Sequence, residues 1–403
     1  MYTANRLLSV KASPTLLFSS KVKEMKSKGI DIIDLTTGEP DFDTPDFIKE
    51  SAINAIKDGH TKYTIVDGTT QLKKAVARKF KIDNNIDYKE TDIMVTCGAK
   101  QAIFNAMAAT INQDDEVIIN APYWVSYTDI VMLFGGNVKI LQTDNFKIDT
   151  KKLLNEINEK TKWIFLNSPS NPAGICYNKD ELTEIGKILE VAIAKYPQLR
   201  ILVDDIYEYL CYDNFKFHTL VELFPNMMNN ILTINGVSKS YAMTGWRIGF
   251  CATKDQSLLE AMRLIQSQST SNPCSISQEA AKAALQAIGN KEMEFIKDWK
   301  LIYERRRNLG IDFFKHHSIL CNKPEGAFYL FPSIKNFINK KYNNIIINNS
   351  HDFCIAMLEN ANVGTVNGSA FGVENYFRIS FATSDELLKE GLNRIANFIK
   401  SLK

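Results

Sequence analysis

Histidine is scarce in this 403-residue chain, with five in all, and none is spaced H-E-x-x-H. That removes the helix-borne zinc hydrolase pattern, and the lack of a G-x-S-x-G turn removes the common serine hydrolase elbow. The seven cysteines (97, 176, 211, 251, 274, 321 and 354) are odd in number, scattered, and never arranged C-x-x-C. Such spacing suits neither a disulfide framework nor a structural zinc site, so a reducing, cytoplasmic setting is expected and no metal. A charge excess is missing too: 48 Lys and Arg face 46 Asp and Glu, a formal charge of +2. Nothing therefore recommends a nucleic-acid partner, and no apolar run is long enough for a membrane span.

The opening stretch MYTANRLLSVKASPTLLFSSK has no acid before Glu24, yet it lacks the apolar segment of a secretory signal and is expected to belong to the fold. Two glycosylation-type triplets, 348–350 and 367–369, are expected to go unused without such a signal.

With 45% hydrophobic and 23% charged residues the chain has the composition of an ordinary globular protein, long enough for one large domain and a smaller companion. Seven short runs rich in Val and Ile recur between helical stretches: IMVTC (93–97), EVIINAP (116–122), NVKILQ (137–142), WIFLNSP (163–169), RILVDD (200–205), ILTING (231–236) and RIGFCAT (247–253). This rhythm predicts an α/β fold with a mostly parallel seven-stranded sheet covered by helices on both faces. From about 276 to 315 the pattern turns long-helical, and GAFYLFPSI and YFRISFAT then predict strands of a second sheet. The expected division is an N-terminal arm with part of a small α+β domain (1–45), a large domain (46–290) and the rest of the small domain (291–403). The asparagine-rich stretch 339–350 reads as a surface loop.

Five segments fall mostly at predicted strand ends, where α/β sheets gather ligands. In NGVSKSYAMTGWRIG (235–249), Lys239 follows an apolar run. A loop lysine ordinarily only solvates a turn, but one that is desolvated or set beside another cation can form a Schiff base with a carbonyl cofactor. Arg247 offers a phosphate clamp, and Gly236 and Gly245 permit close backbone approach. In TCGAKQAIFNAM (96–107) a strand, a glycine and a helix start succeed one another, which is common connection chemistry and also a phosphate cradle. VDDIYEYL (203–210) places Asp204 and Asp205 at a strand end, as a helix cap or as the partner of a pyridine nitrogen, with Tyr207 able to reach that ring's phenolic oxygen. NSPSNPAG (167–174) is loop chemistry in which the Asn171 amide can donate to the same oxygen. Along YFRISFAT (376–383), period-2 alternation sets Arg378 with Ser380 on one face; it is either a solvated edge arginine or a fork for a carboxylate.

Together, Gly236 to Gly249, TTGEPDFDTP (36–45), GHTKYTIVDGTTQLKKAV (59–76), APYWVSY (121–127), NSPSNPAG, DDIY and FRISFAT resemble, in order, the sequence blocks of class I and II aminotransferases, nearest the bacterial type of aspartate aminotransferase. The resemblance spans nearly the whole chain. It implies the aspartate aminotransferase fold and a pyridoxal 5′-phosphate enzyme working in two half-reactions on amino acid and 2-oxo acid substrates. By motif, Lys239 would bind the cofactor and shuttle the substrate Cα proton, Asp204 would pair with the ring nitrogen, Tyr207 and Asn171 with the phenolic oxygen, and Trp124 would stack on the ring. Gly98, Ala99, Lys100, Ser238 and Arg247 would hold the phosphate, and Tyr63 would reach the phosphate of a neighbouring subunit, making a homodimer the active unit. Arg378 and the backbone at Gly38 would hold the substrate's α-carboxylate, where Trp124 and Asn171 also lie.

The chain departs from the pattern twice: Gly236 stands where many relatives have serine, and Asn367 where many have proline. The second arginine that animal and enteric aspartate aminotransferases contribute is missing from SQSTSNP (267–273), as it is in the bacterial branch, where Lys11 resembles an arm lysine facing the distal carboxylate. The expected reaction is amino transfer from L-aspartate to 2-oxoglutarate, with prephenate to arogenate as a second activity. Alternatives are an aromatic or alanine-type aminotransferase, a related lyase, or a silent pyridoxal phosphate-binding protein.

Overall fold

The computed structural model describes residues 2–10, 14–343 and 345–403. All seven apolar runs become strands of one sheet: β1 (Ile93–Thr96), β2 (Glu116–Asn120), β3 (Asn137–Leu141), β4 (Thr161–Asn167), β5 (Arg200–Asp204), β6 (Ile231–Gly236) and β7 (Gly249–Ala252). Their order is β1-β7-β6-β5-β4-β2-β3. Neighbours from β3 to β6 are parallel, while β7 runs antiparallel to both β1 and β6.

The middle residues of the central strands are apolar on both sides because both faces are covered. Alternate residues of β5 show this: Ile201 and Val203 pack with the helices Thr70–Asn84, Lys179–Lys195 and Ser275–Gln286, while Leu202 packs with Ala99–Thr110 and Gln256–Ser267. Helix starts are set locally by side chains: Asn178 accepts from the N–H of Glu181, whose own carboxylate accepts from the N–H of Asn178. The strand ends at Thr96, Asn120, Asn167, Asp204 and Gly236 open on one side of the sheet, and the loops after them carry the residues discussed below.

A second, antiparallel sheet holds Val366–Asn367, Phe377–Ser380 and Tyr329–Leu330 in that order. Nearby, Ile33–Asp34 pairs in parallel with Val363–Gly364, bringing the N-terminal segment beside the C-terminal one. The helices Glu294–His316, Ser350–Ala361 and Asp385–Ser401 supply its core with Phe314, Phe353, Leu388 and Ile395.

Two expectations change. Phe377–Ser380 is the central strand of its sheet, so Arg378 is 2% exposed and is no solvated edge residue. Within the stretch 339–350, read as a loop, Lys341–Tyr342 pairs antiparallel with Ile345–Ile346. Two adjacent β-branched isoleucines favour the extended chain, and Asn343 takes the left-handed turn conformation at φ 50°. Among the described residues no helix is long and apolar enough to cross a membrane.

Candidate active site

A cavity of about 450 Å³ opens at the carboxyl ends of the strands, between the large sheet and the second one. Lys239 lines it from the loop after β6. Its ammonium donates to the carbonyl oxygen of Gly38 and lies 5.9 Å from the ring centres of Tyr207 and Phe328. Burial, helped by Arg378 and Arg247, brings its pKa down to about 8, against the opposing pull of Glu39 and Asp204.

At one end of the cavity the helix Ala99–Thr110 begins at Gly98 with no side-chain cap, leaving backbone N–H groups free for an anion. Gly98 has φ +81°, and a Cβ there would stand 2.3 Å from Arg247 Nη2. Only glycine lets the guanidinium lie over the helix start. Arg247 itself adopts φ 56°, rare for a non-glycine residue, and is held by an Nη1 bond to the Thr244 carbonyl at 2.7 Å. The Lys100 ammonium sits 4.8 Å from the Trp124 ring centre, with its pKa lowered by burial and by Arg247. Ser238 and Trp124 complete this wall.

Asp204, the last residue of β5, is buried, and burial raises its carboxyl to about 6 although two hydrogen bonds oppose the shift. Those bonds come from Tyr127 Oη at 2.6 Å and the Ile206 N–H at 3.3 Å. No α-helix follows β5 directly, so the capping role allowed to Asp204 does not arise. Tyr207, three residues on, shares a hydrogen bond with the Tyr329 hydroxyl at 2.9 Å.

Arg378 is the most constrained of the cations. Nη1 donates to Asn171 Oδ1 at 2.9 Å and Nη2 to the Thr36 carbonyl at 2.6 Å, while buried Nε has no partner. Its guanidinium stacks 4.5 Å from the Tyr329 ring centre and 5.1 Å from that of Phe371. No carboxylate forms an ion pair with it among the described residues; the acidic groups that favour its charge are the phenols of Tyr329 and Tyr207, set against a larger burial effect. A buried arginine with an idle donor and no counter-ion among the described residues has the chemistry to receive a carboxylate.

The fold thus brings Gly38, Ala99, Lys100, Trp124, Asn171, Asp204, Tyr207, Ser238, Lys239, Arg247 and Arg378 to one cavity, with Gly98 against its arginine. Tyr63 does not join them: it is 92% exposed and faces outward from this chain. Lys11 lies outside the described residues. Asn367 has φ −64°, the value a proline ring imposes, and Gly236 packs so tightly that a Cβ would meet Gly249 Cα at 3.0 Å. Sequence reading gave no individual role to Tyr127, Tyr329, Asn167 or Thr36. Tyr127 meets Asp204 across 77 residues of chain, and nothing local marks such a pair. Asn167 is better signalled, standing at a strand end four residues before Asn171, whose N–H it receives at 3.0 Å.

Residues 30–395 match the model of the aminotransferase class I and II family, and the chain belongs to that family. It is 50% identical to a probable aspartate/prephenate aminotransferase of Rickettsia felis, over 97% of this chain and 95% of the relative. A Cereibacter sphaeroides protein named aspartate/prephenate aminotransferase is 43% identical over 100% and 99% of the two chains. Among solved structures, the aspartate aminotransferase of Rhizobium meliloti superposes with a TM-score of 0.94 at 42% identity, each chain covered in full. The Thermus thermophilus aspartate aminotransferase with maleate gives 0.90 at 33% identity, covering 99% and 100%.

Proposed function

We propose that this aminotransferase uses pyridoxal 5′-phosphate to move the amino group of L-aspartate to 2-oxoglutarate, and that prephenate is a second acceptor, yielding arogenate. One observation carries the reading: a single cavity is lined by a desolvated lysine, a buried carboxyl and a buried arginine with no carboxylate partner. The residues present fit the cofactor, since the uncapped helix start beneath Arg247 suits a phosphate and Asp204 suits a protonated ring nitrogen.

When bound, pyridoxal 5′-phosphate supplies an aldehyde that takes up the amino group and a ring that accepts the electrons released at the substrate Cα. Gly98, Ala99, Lys100, Ser238 and Arg247 would hold its phosphate, Trp124 would cover its ring, and Asn171 and Tyr207 would face its phenolic oxygen. The bond from Arg378 to Asn171 Oδ1 supports this, because it leaves the amide hydrogens of Asn171 to donate elsewhere. Lys239 Nζ takes the proton from Cα and returns it, a task that needs a neutral amine and therefore a lowered pKa. Arg378, with its idle Nε, orients the α-carboxylate beside the Gly38 backbone.

A dicarboxylic substrate asks for a further cation. Lys23 and Ser19, one helical turn apart on Pro14–Ser27, line the cavity, and Lys23 has no ion pair among the described residues. The names of the Rickettsia and Cereibacter relatives, and the maleate in the Thermus structure, support the same substrate class. Exposed Tyr63 is assigned to the phosphate of a partner subunit, with the homodimer as the active unit. We read the chain as arm and partial small domain (1–45), large domain (46–290) and remaining small domain (291–403).

The test is the absorption spectrum of the protein loaded with pyridoxal 5′-phosphate. A visible band that aspartate removes and 2-oxoglutarate restores is expected, with prephenate restoring it as well. A band that answers alanine or phenylalanine but ignores aspartate would overturn the substrate and favour the alanine or aromatic type.

A further inference from the structure

Behind the cavity, buried polar side chains from a helix and a strand converge on one carboxylate. Glu208 follows Tyr207 in the turn after β5 and is 6% exposed. Its Oε1 accepts from Asn235 Nδ2 at 2.9 Å and pairs with the Lys79 ammonium, and its Oε2 accepts from Asn84 Nδ2 at 3.0 Å. Lys79 also donates to Asn84 Oδ1 at 2.7 Å, so the carboxylate is anchored on the helix Thr70–Asn84. Asn235 Oδ1 in turn accepts the N–H of Gly236 at 2.7 Å, three residues before Lys239. None of these four side chains lines the cavity.

The arrangement matters for where it stands. Strands β5 and β6 pair from Ile201–Ile231 to Asp204–Ile234, and the Asp205 N–H donates to the Ile234 carbonyl at 3.0 Å. Past that point no main-chain hydrogen bond joins the two segments among the described residues. The Glu208–Asn235 bond continues the connection through side chains, where one segment carries Asp204 and Tyr207 and the other Ser238 and Lys239. A buried ion pair adds little stability over well-packed apolar residues, because desolvation offsets its attraction. Its contribution is a fixed distance.

We propose that Glu208, acting through Asn235, is a positioning residue for the amino-transfer reaction, holding the Lys239 loop in register with Asp204. The inference rests on the roles proposed above for Lys239 and Asp204. Lys79 and Asn84 anchor the carboxylate; Asn235 transmits its position. Releasing the Lys239 loop admits water and moves the amine away from the neighbouring arginines.

The experiment uses the full-length protein and reads the titration of Lys239 in two ways. Without cofactor, the pH dependence of arylation by trinitrobenzenesulfonate is followed at the Lys239 peptide by mass; with pyridoxal 5′-phosphate loaded, the pH midpoint of the visible band is followed. Asn235→Ala cuts the link and keeps the Lys79–Glu208 pair, whereas Asn84→Ala weakens the anchor and keeps the link. Both are expected to lower the melting temperature. Only Asn235→Ala should raise the Lys239 pKa, by about one unit or more. Adding Glu208→Ala to it should move the value no further, since both changes break one connection. Should Asn235→Ala fail to fold, Glu208→Ala alone, which removes the acceptor, carries the same expected direction. Equal shifts in the Asn235 and Asn84 variants, or a lowered melting temperature with no shift in either, would reduce the network to a fold contact and overturn the proposal. A wild-type Lys239 that labels like an ordinary surface lysine and takes up no cofactor would instead remove the proposed function itself.

Discussion

Arg378 donates through Nη1 to the side-chain oxygen of Asn171 at 2.9 Å, across 207 residues of chain. The bond orients both groups at once: the guanidinium still has its Nε unpartnered, and the amide, with its oxygen turned to Arg378, has its donor hydrogens directed elsewhere. Replacing Arg378 by lysine keeps the charge and loses the fork, so the contact with Asn171 and the grip on a carboxylate cannot be made together. Arg378→Lys should lower kcat/KM by ~10²-fold or more for every amino donor, chiefly through KM, consistent with the ~2–5 kcal/mol lost when a buried charged contact is cut. Steady-state kinetics with aspartate and alanine check this; a loss confined to aspartate would assign Arg378 to the distal carboxylate.

Lys239 links catalysis to stability. Its pKa in the folded, cofactor-free protein is about 8, below the ordinary 10.5 of lysine. The unfolded chain therefore binds the proton more tightly between these values, and stability rises with pH from about 8 to 10.5. Below pH 8 the penalty is fully present. Lys239→Met should abolish turnover, remove that slope and stabilise the cofactor-free protein at pH 7 by about 1–2 kcal/mol. Urea unfolding at several pH values gives the answer; an unchanged slope in the variant would place the titration elsewhere.

Gly98 admits no side chain. Its φ is +81°, and a methyl group in its place would stand 2.3 Å from Arg247 Nη2, so Gly98→Ala strains the backbone and displaces the guanidinium together. Affinity for pyridoxal 5′-phosphate should fall at least tenfold, with ~1 kcal/mol or more lost in stability. Fluorescence titration of cofactor into the stripped variant measures the first quantity, and undiminished affinity would remove Arg247 and the helix start from the phosphate site.

Tyr63 tests the shared site. It is 92% exposed in one chain, so a role at the phosphate requires a second copy. Tyr63→Phe and Lys239→Ala homodimers should both be impaired, the second completely. A mixed dimer of the two variants should carry one intact site, pairing Lys239 of one chain with Tyr63 of the other, and recover about half the wild-type activity per dimer. No recovery in the mixed dimer would return Tyr63 to its own chain, and an unimpaired Tyr63→Phe homodimer would return it to the surface.

The strands of the main sheet and the motifs after them are legible because their signals are local. A run rich in Ile and Leu such as ILTING fits a strand buried on both faces, and the glycine in TCGAK fits a turn into a helix start with free N–H groups. The hairpin at 341–346 is hidden from composition, since asparagine counts toward loops while the isoleucines that hold the chain extended weigh less.

What the amino-acid sequence determined by itself was therefore the alternation of strand and helix, the positions of the segments that carry Lys239, Asp204, Asn171 and Arg378, and the family those blocks spell out in order. What only the tertiary structure decided was partnership: the Tyr127 hydroxyl on Asp204, Glu208 on Asn235, and an Arg378 that is central and buried where alternation also allowed an exposed edge. Secondary structure follows from neighbours along the chain. The environment that brings a lysine to about 8 and a carboxyl to about 6 comes from desolvation by segments far apart in sequence, which exists only once they have packed.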